Sequence, residues 1–321
     1  MVAVKAPFEM LCNQLASGDT IFERVQAARA LKDYSTSRQA VRALTNSVIT
    51  DKFWRVSQEA AKSLGSMKQT SAFDALRECY LTVKHPKVRS SIILALGEFR
   101  KSELLQEFAQ ILIDKSESYG VRAAAGVAAG KTKDTAAIVH LRNAAKTSSF
   151  REIIARGALN GLKEFAPNED VALFTKDMTF YGNPTRVREA ATSCLGKFVA
   201  DNRFVLDHLK KNLLTDAWWR VRSNACKALS EGESTEAIPD LEWVSKHDIN
   251  AEVRRTAEEC IIMLKQVEED KPKIAKEAPP DVEIAKRKKQ RSRYLEFLNR
   301  TDVAPLNDRQ QIQIVVFPNL Q

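Results

Sequence analysis

Along residues 51–65, DKFWRVSQEAAKSLG, small and apolar side chains fall at Val56, Ala60 and Leu64 with polar residues between them. Spacing of i, i+4, i+8 marks one face of an α-helix. The same stripe returns in DAWWRVRSNACKALS, residues 216–230, at Val221, Ala225 and Leu229. With the first apolar residue as anchor, the unit recurs at Val88, Val121, Ile154, Val187 and Val253, and in weaker form at Glu23, in steps of 32 to 34 residues. A fixed period of this length is the signature of a solenoid, in which each unit buries its apolar face only by stacking on its neighbours.

Each unit reads as a helical hairpin whose second helix carries the anchor. Pro86 and Pro184 mark the starts of second helices, where a missing N–H costs little, as do Asp51, Asp216 and Asp248, five residues before their anchors. Gly65, Gly97, Gly130 and Gly196, nine residues after their anchors, are expected to end these helices by taking positive φ. First helices are predicted over 37–50, 70–83, 102–114, 134–146, 168–180, 203–215 and 234–246, with Pro239 bending or shortening the last. Residues 7–18 and 22–34 form a degenerate first repeat that acts as a cap. The fold class is therefore all-α, a right-handed α-α superhelix of about eight repeats over residues 1–266. Beyond Lys265 the period fails: 267–285 reads as a charged, proline-containing linker and 286–321 as a basic tail. Six of the eight residues 286–293 are basic, YLEFL follows as a short helix, and IQIVVF has strand-like content.

Composition adds limits more than direction. The 321 residues are 44% apolar, with only 11 Gly and 10 Pro, enough for a large core. The five cysteines, 12, 79, 194, 226 and 260, contain no CxxC and read as reduced core residues, which favours a cytoplasmic protein. No signal-peptide run or membrane-spanning stretch is expected. The four histidines, His85, His140, His208 and His247, lie far apart in sequence and none is followed by Glu. Neither a zinc-peptidase pair nor a di-iron set can be built locally from them, so no metal, cofactor or catalytic group is expected. AGVAAGKT, 125–132, fits a loose phosphate-loop pattern, but the repeat accounts for it as helix and helix stop.

The second helices resemble short HEAT repeats, of the kind found in phycobilisome lyases, whose pattern D-x-x-x-x-V-R-x-x-A-x-x-A-L-G is met at 216–229, with Ser230 in place of the final Gly. Asp216 with Arg222, and Asp248 with Arg254, keep the spacing of six that such repeats use to link neighbouring turns. More narrowly, FWRV at 53–56 and YGNPTRVREAA at 181–191 look like the C-terminal helical region of HExxH zinc aminopeptidases of the puromycin-sensitive and tricorn-interacting-factor type, here without the catalytic domain. That resemblance implies a chamber-forming helical region, and a separate peptidase catalytic chain as one possible partner. HEAT-like DNA glycosylases and HEAT-type bilin lyases are the alternatives, the first motivated by the net charge of +9.

In HEAT-type solenoids the second helices line the concave face. Positions two and six after each anchor are expected there, and give Ser90, Leu94, Ala123, Val127, Arg156 and Asn160 as a candidate binding surface. Leu94 and Val127 would form a shallow apolar trough suited to a protein or extended peptide. Trp54 and Trp219 are expected to wedge between repeats, and Trp218 to remain open for contact. Arg89, Arg122, Arg188, Arg222 and Arg254 share the position after the anchor and are expected to form an intramolecular ladder.

Overall fold

The computed structural model describes residues 7–277, with side chains to residue 269. The first three hairpins are α1 (Phe8–Ser17) with α2 (Ile21–Leu31), α3 (Arg38–Thr50) with α4 (Trp54–Met67), and α5 (Thr70–Thr82) with α6 (Pro86–Gly97). The middle ones are α7 (Leu105–Ile113) with α8 (Tyr119–Lys131), and α9 (Ala137–Ala145) with α10 (Ile153–Leu162). Then come α11 (Glu169–Asp177) with α12 (Thr185–Leu195), α13 (Arg203–Thr215) with α14 (Trp219–Glu231), and α15 (Ile238–His247) with α16 (Ala251–Glu277). Eight helical hairpins thus follow one another among the described residues, with no strand. Residues through Lys265 form one compact unit, and α16 itself continues to Glu277. The stretch 267–277 is accordingly helical where a linker was expected: its Glu, Lys and Ala residues favour helix enough to carry it through Pro272. The basic run, YLEFL and IQIVVF lie outside the described residues.

The anchor stripe forms the core. Val56, Val88, Val121, Ile154, Val187, Val221 and Val253 are all buried, as are the residues four positions on. First helices complete it with larger side chains, among them Leu44, Leu76, Phe108, Leu112, Leu141 and Leu209. Pro239 does not bend α15. It sits in the first turn, where no backbone donor is needed, after a 3₁₀ turn at Thr235–Ala237.

The glycines act differently from the expectation. Gly65 and Gly130 lie inside their helices, Gly97 closes α6, and Gly196 caps α12 with ordinary right-handed φ. After three of them, though not after Gly196, a left-handed residue follows three positions later, at Lys68, Arg100 and Lys133. What the glycines provide is proximity. A methyl group on Gly65 would stand 2.8 Å from Ala95 Cβ, and one on Gly97 would stand 2.9 Å from Ala128 Cα and Cβ. One on Gly196 would stand 3.0 Å from Ala228 Cα, and one on Gly130 would overlap the carbonyl of Gly161. Each glycine nine residues past its anchor therefore meets Ala or Gly seven past the next anchor. Contact between α8 and α10 is the closest, since Gly157 faces Ala123 and Gly161 faces Gly126 in the same way.

A second device links the turns. Asp51, Asp216 and Asp248 do not cap the second helices; they end the first helices, and each accepts the N–H two residues on, from Phe53, Trp218 and Asn250. Their carboxylates reach back one repeat: Arg24 to Asp51 at 3.0 Å, Arg188 to Asp216 at 2.5 Å, and Arg222 to Asp248 at 2.6 Å. Arg89 pairs in the same sense with Glu117. The spacing of six is met through backbone instead, as Arg222 Nη1 donates to the Asp216 carbonyl and Arg254 Nη1 to that of Asp248. Arg24, Arg89 and Arg222 thus each fasten both the carbonyl end of their own first helix, at Gly18, Val83 and Asp216, and the acid of the following repeat. Burial pushes the Asp248 carboxyl upward, but hydrogen bonds from Arg222 and the Asn250 N–H, with the Arg222 and Arg254 charges, hold it below its ordinary value. Its stabilising contribution is present above the unfolded carboxylate pKa of about 4 and is lost as pH falls through the lower folded value.

Gly130→Ala is expected to lower stability by roughly 2 kcal/mol, because overlap with Gly161 outweighs a helix-propensity gain of about 1 kcal/mol. Gly120→Ala, whose new methyl has room beside Ser90 Oγ at 3.5 Å, is expected to gain up to about 1 kcal/mol. Urea unfolding of the two variants checks the opposite signs. In the same assay Asp216→Asn, which strands the buried Arg188 guanidinium, is expected to lose about 3 kcal/mol; a loss under about 0.5 kcal/mol would show that the rung carries no load.

Candidate polypeptide-binding face

Glycine contacts bring the second helices together, whereas the first helices meet through Phe and Leu side chains, and the open side of the second helices is termed the inner face. One ion pair links alternate second helices. Lys163, just after α10, reaches Glu231 at the end of α14 at 3.2 Å, spanning the whole of α12. Gly196 makes room for this: a Cβ there would stand 2.8 Å from the Glu231 carboxylate.

On this inner face Ser90, Leu94, Ala123 and Val127 are half-buried, while Arg156 and Asn160 are exposed. Leu94 packs partly on the core, so the trough between α6 and α8 is shallow. Ser90 Oγ donates to the carbonyl of Pro86 in its own helix. The stripe does not continue evenly, because Ser223 is buried with its hydroxyl 3.2 Å from Thr256 Oγ1. Towards the carbonyl ends of the helices, Asn160 joins Lys133, Lys163, Glu164, Ala166 and Lys197 around a cleft of about 470 Å³. Its lysines are matched by acids: Lys133 with Glu164, and both Lys163 and Lys197 with Glu231. Outside Asn160, no position of this cleft was expected from the repeat, although the lysines at 131, 163 and 197 recur at nearly one interval along the sequence.

The tryptophans separate. Trp219 is half-buried against the core with Arg220 over its ring, but its counterpart Trp54 is 36% exposed, with Lys87 over the ring and His85 stacked on it. Trp54 is therefore not a wedge: the neighbouring turn offers it a cation and an imidazole, not an apolar slot. Trp218 is 41% exposed, and its indole N–H donates to Glu189 Oε1 at 2.7 Å, which fixes the ring across two repeats. Tyr181 completes this corner, accepting the Ala217 N–H and lying over Arg188.

Of the histidines, His247 lies against Trp243 in its own helix, and His208 is held between repeats. His208 Nε2 lies 2.6 Å from Thr179 Oγ1 and 3.2 Å from Asn212 Nδ2, with Phe180 edge-on to the ring. Burial, then the Lys176 and Lys211 charges, push its pKa down to about 4. The cysteines at 79, 194, 226 and 260 are buried as free thiols, and burial raises Cys79 and Cys194 to about 12. No helix of the described residues is long and apolar enough to cross a membrane. The stretch AGVAAGKT lies in and just after α8, with Thr132 Oγ1 donating to the Ala129 carbonyl. No strand precedes it, and its amides are committed to helix.

A profile of HEAT repeats matches residues 8–84, 80–163 and 181–262, well over half the sequence. The chain belongs to the HEAT-repeat family. Solved structures similar to this HEAT-repeat chain include YibA of Escherichia coli, at 22% identity over 80% of this chain and 93% of that one, with a TM-score of 0.47. The CpcE–CpcF complex of phycocyanin lyase from Nostoc sp. PCC7120 matches at 18% identity over 82% and 97%, TM-score 0.45. Human deoxyhypusine hydroxylase matches at 18% over 81% and 96%, TM-score 0.37. These likenesses carry no argument about function. A search of curated proteins found no significant match.

His208 yields a pH prediction. Because its folded pKa lies below the unfolded value of about 6.5, the unfolded chain binds more protons between these values, and stability falls as pH drops from about 6.5 towards 4. Replacing His208 with Gln is expected to flatten that part of the stability–pH curve, measured by chemical denaturation at several pH values. A curve of unchanged slope would place the titration elsewhere.

Proposed function

We propose that this HEAT-repeat chain is a non-catalytic scaffold that holds an extended segment of a partner polypeptide against the inner face of its second helices. The observation that carries this reading is the run of small and half-buried side chains at Ser90, Leu94, Ala123 and Val127, bordered by exposed Arg156 and Asn160. Such a surface offers shallow apolar contact with polar anchoring at one side, which suits a peptide backbone better than phosphates. Nucleic acid in this groove is disfavoured, because the lysines at the nearby cleft are spent on Glu164 and Glu231 and a basic footprint needs clustered, available charge. The resemblance of 53–56 and 181–191 to aminopeptidase helical regions makes a separate peptidase catalytic chain one finer candidate for the partner. A bilin-lyase role rests on fold analogy alone. A cytoplasmic location agrees with the free, buried cysteines.

The test is selection of a random peptide library on the full chain, followed by binding of the enriched peptides to Val127→Lys combined with Arg156→Glu. Both positions are clear of the core stripe, so melting temperature is expected to stay nearly constant while affinity falls at least tenfold. Enriched peptides that bind the double variant equally well would remove the inner face from the proposal.

A further inference from the structure

The arginine rungs have a gap at Arg122. In the four linked repeats the acid lies 26 to 28 residues beyond its arginine: Arg24 to Asp51, Arg89 to Glu117, Arg188 to Asp216 and Arg222 to Asp248. The same window beyond Arg122 holds Ser148, Ser149 and Phe150, and the residue that ends α9 is Lys146. Among the described residues no carboxylate lies within ion-pair distance of Arg122. Its Nε donates to the Leu112 carbonyl at 2.9 Å, in the last turn of its own first helix, and no other hydrogen bond engages the guanidinium. The nearby Asp114 accepts the Ser116 N–H and feels the Arg122 charge only from beyond ion-pair distance.

Arg122 is nonetheless only 8% exposed, so the repeat has carried its cation into the interior without its counter-ion. The sealed nitrogens without a partner are Nε of Arg142 and Nε of Arg188, which leaves the terminal nitrogens of Arg122 in touch with solvent. Neither is an aromatic ring laid over it. Tyr80 and Tyr181 cover Arg89 and Arg188, while Ile113, nine residues before Arg122 as Tyr80 is before Arg89, is 68% exposed. Phe150, in the window of the missing acid, is 66% exposed. A guanidinium this little exposed, whose terminal nitrogens meet no protein acceptor, can still take a planar, doubly accepting anion, and carboxylate is the anion the other four rungs employ.

We propose that Arg122 is a binding site for a carboxylate supplied by another polypeptide, an Asp or Glu side chain whose apolar neighbour rests on Ile113 or Phe150. The incoming acid completes the rung that the chain leaves open between α8 and the turn before α10. This site lies on the turns between helices, apart from the inner face, and stands independently of the scaffold reading.

The experiment follows the arginine Nε–Hε resonances of the full chain by NMR during titration with N-acetylglutamate methylamide, its glutamine counterpart and inorganic phosphate. The Arg122 resonance is expected to shift saturably with the glutamate probe and not with the glutamine one, while exposed Arg156 stays nearly fixed. Ser148→Asp and, separately, Phe150→Glu place an internal acid at the spacings of the Arg222 and Arg188 rungs. Each is expected to raise the melting temperature and to abolish the probe response. Movement of Arg122 no greater than that of Arg156, a larger response to phosphate than to carboxylate, or an undiminished probe response in both filled variants would overturn the assignment.

Discussion

Everything in the solenoid depends on how closely one second helix approaches the next. Packed helices stand 8–10 Å apart according to the side chains at the contact, and here that contact is Gly against Ala or Gly, nine and seven residues past successive anchors. Backbone meets backbone on the inner layer, and large side chains separate the outer one. A tighter inner layer follows from that inequality. So does the character of the inner face: helices this close leave room only for short side chains between them, and Ala123 and Val127 are what is bared.

Arginine rungs do a different job. Dispersion between small side chains is weak per contact, so where a single glycine faces alanine the packing brings helices together but resists sliding along the helix axis at one point only. A buried guanidinium that must meet one carbonyl end and one carboxylate tolerates little sliding. Net stabilisation from such a pair is small against a hydrophobic replacement, whereas its loss is costly, and this makes it a specifier of geometry more than a source of stability. Arg188 with Asp216 and Arg222 with Asp248 are the most enclosed examples, and both lie where the second helices have fewer glycines.

The repeat, its helical hairpins and its core stripe were legible in the sequence because the anchor series Val56 to Val253 states a period directly. The Arg ladder positions were also visible, but their partners were not. Spacing within one repeat, Asp216 to Arg222, catches the eye, whereas the carboxylate contact runs between repeats at 26 to 28 residues, with a one- or two-residue drift that hides it. Gly65 and Gly130 were misread for a similar reason. Glycine near a helix end ordinarily signals a left-handed cap, and only the neighbouring helix reveals that its missing side chain is what matters; Lys68 and Lys133 take the left-handed positions at a cost the rest of the fold absorbs. The inner cleft was illegible for want of any local motif, being assembled from Asn160, Lys163 and Lys197 on two repeats and closed by Glu231 on a third.

The middle of the solenoid brings the two devices together in an instructive way. Between α8 and α10 glycine packing is densest, with Gly126, Gly130, Gly157 and Gly161 all at the contact, and there the acid of the rung is absent. In α10 the arginine itself is replaced by Ala155, so the following rung is missing as well. Interlocked backbones with glycines on both sides fix register by shape, since sliding by one residue would drive a side chain into a carbonyl. Where shape does that work, the polar rung is released from it. Arg122 stands at this junction: it holds the end of its own first helix through Leu112, and with no acid of its own chain to meet it can take a partner's without loss of the register that rungs elsewhere must maintain.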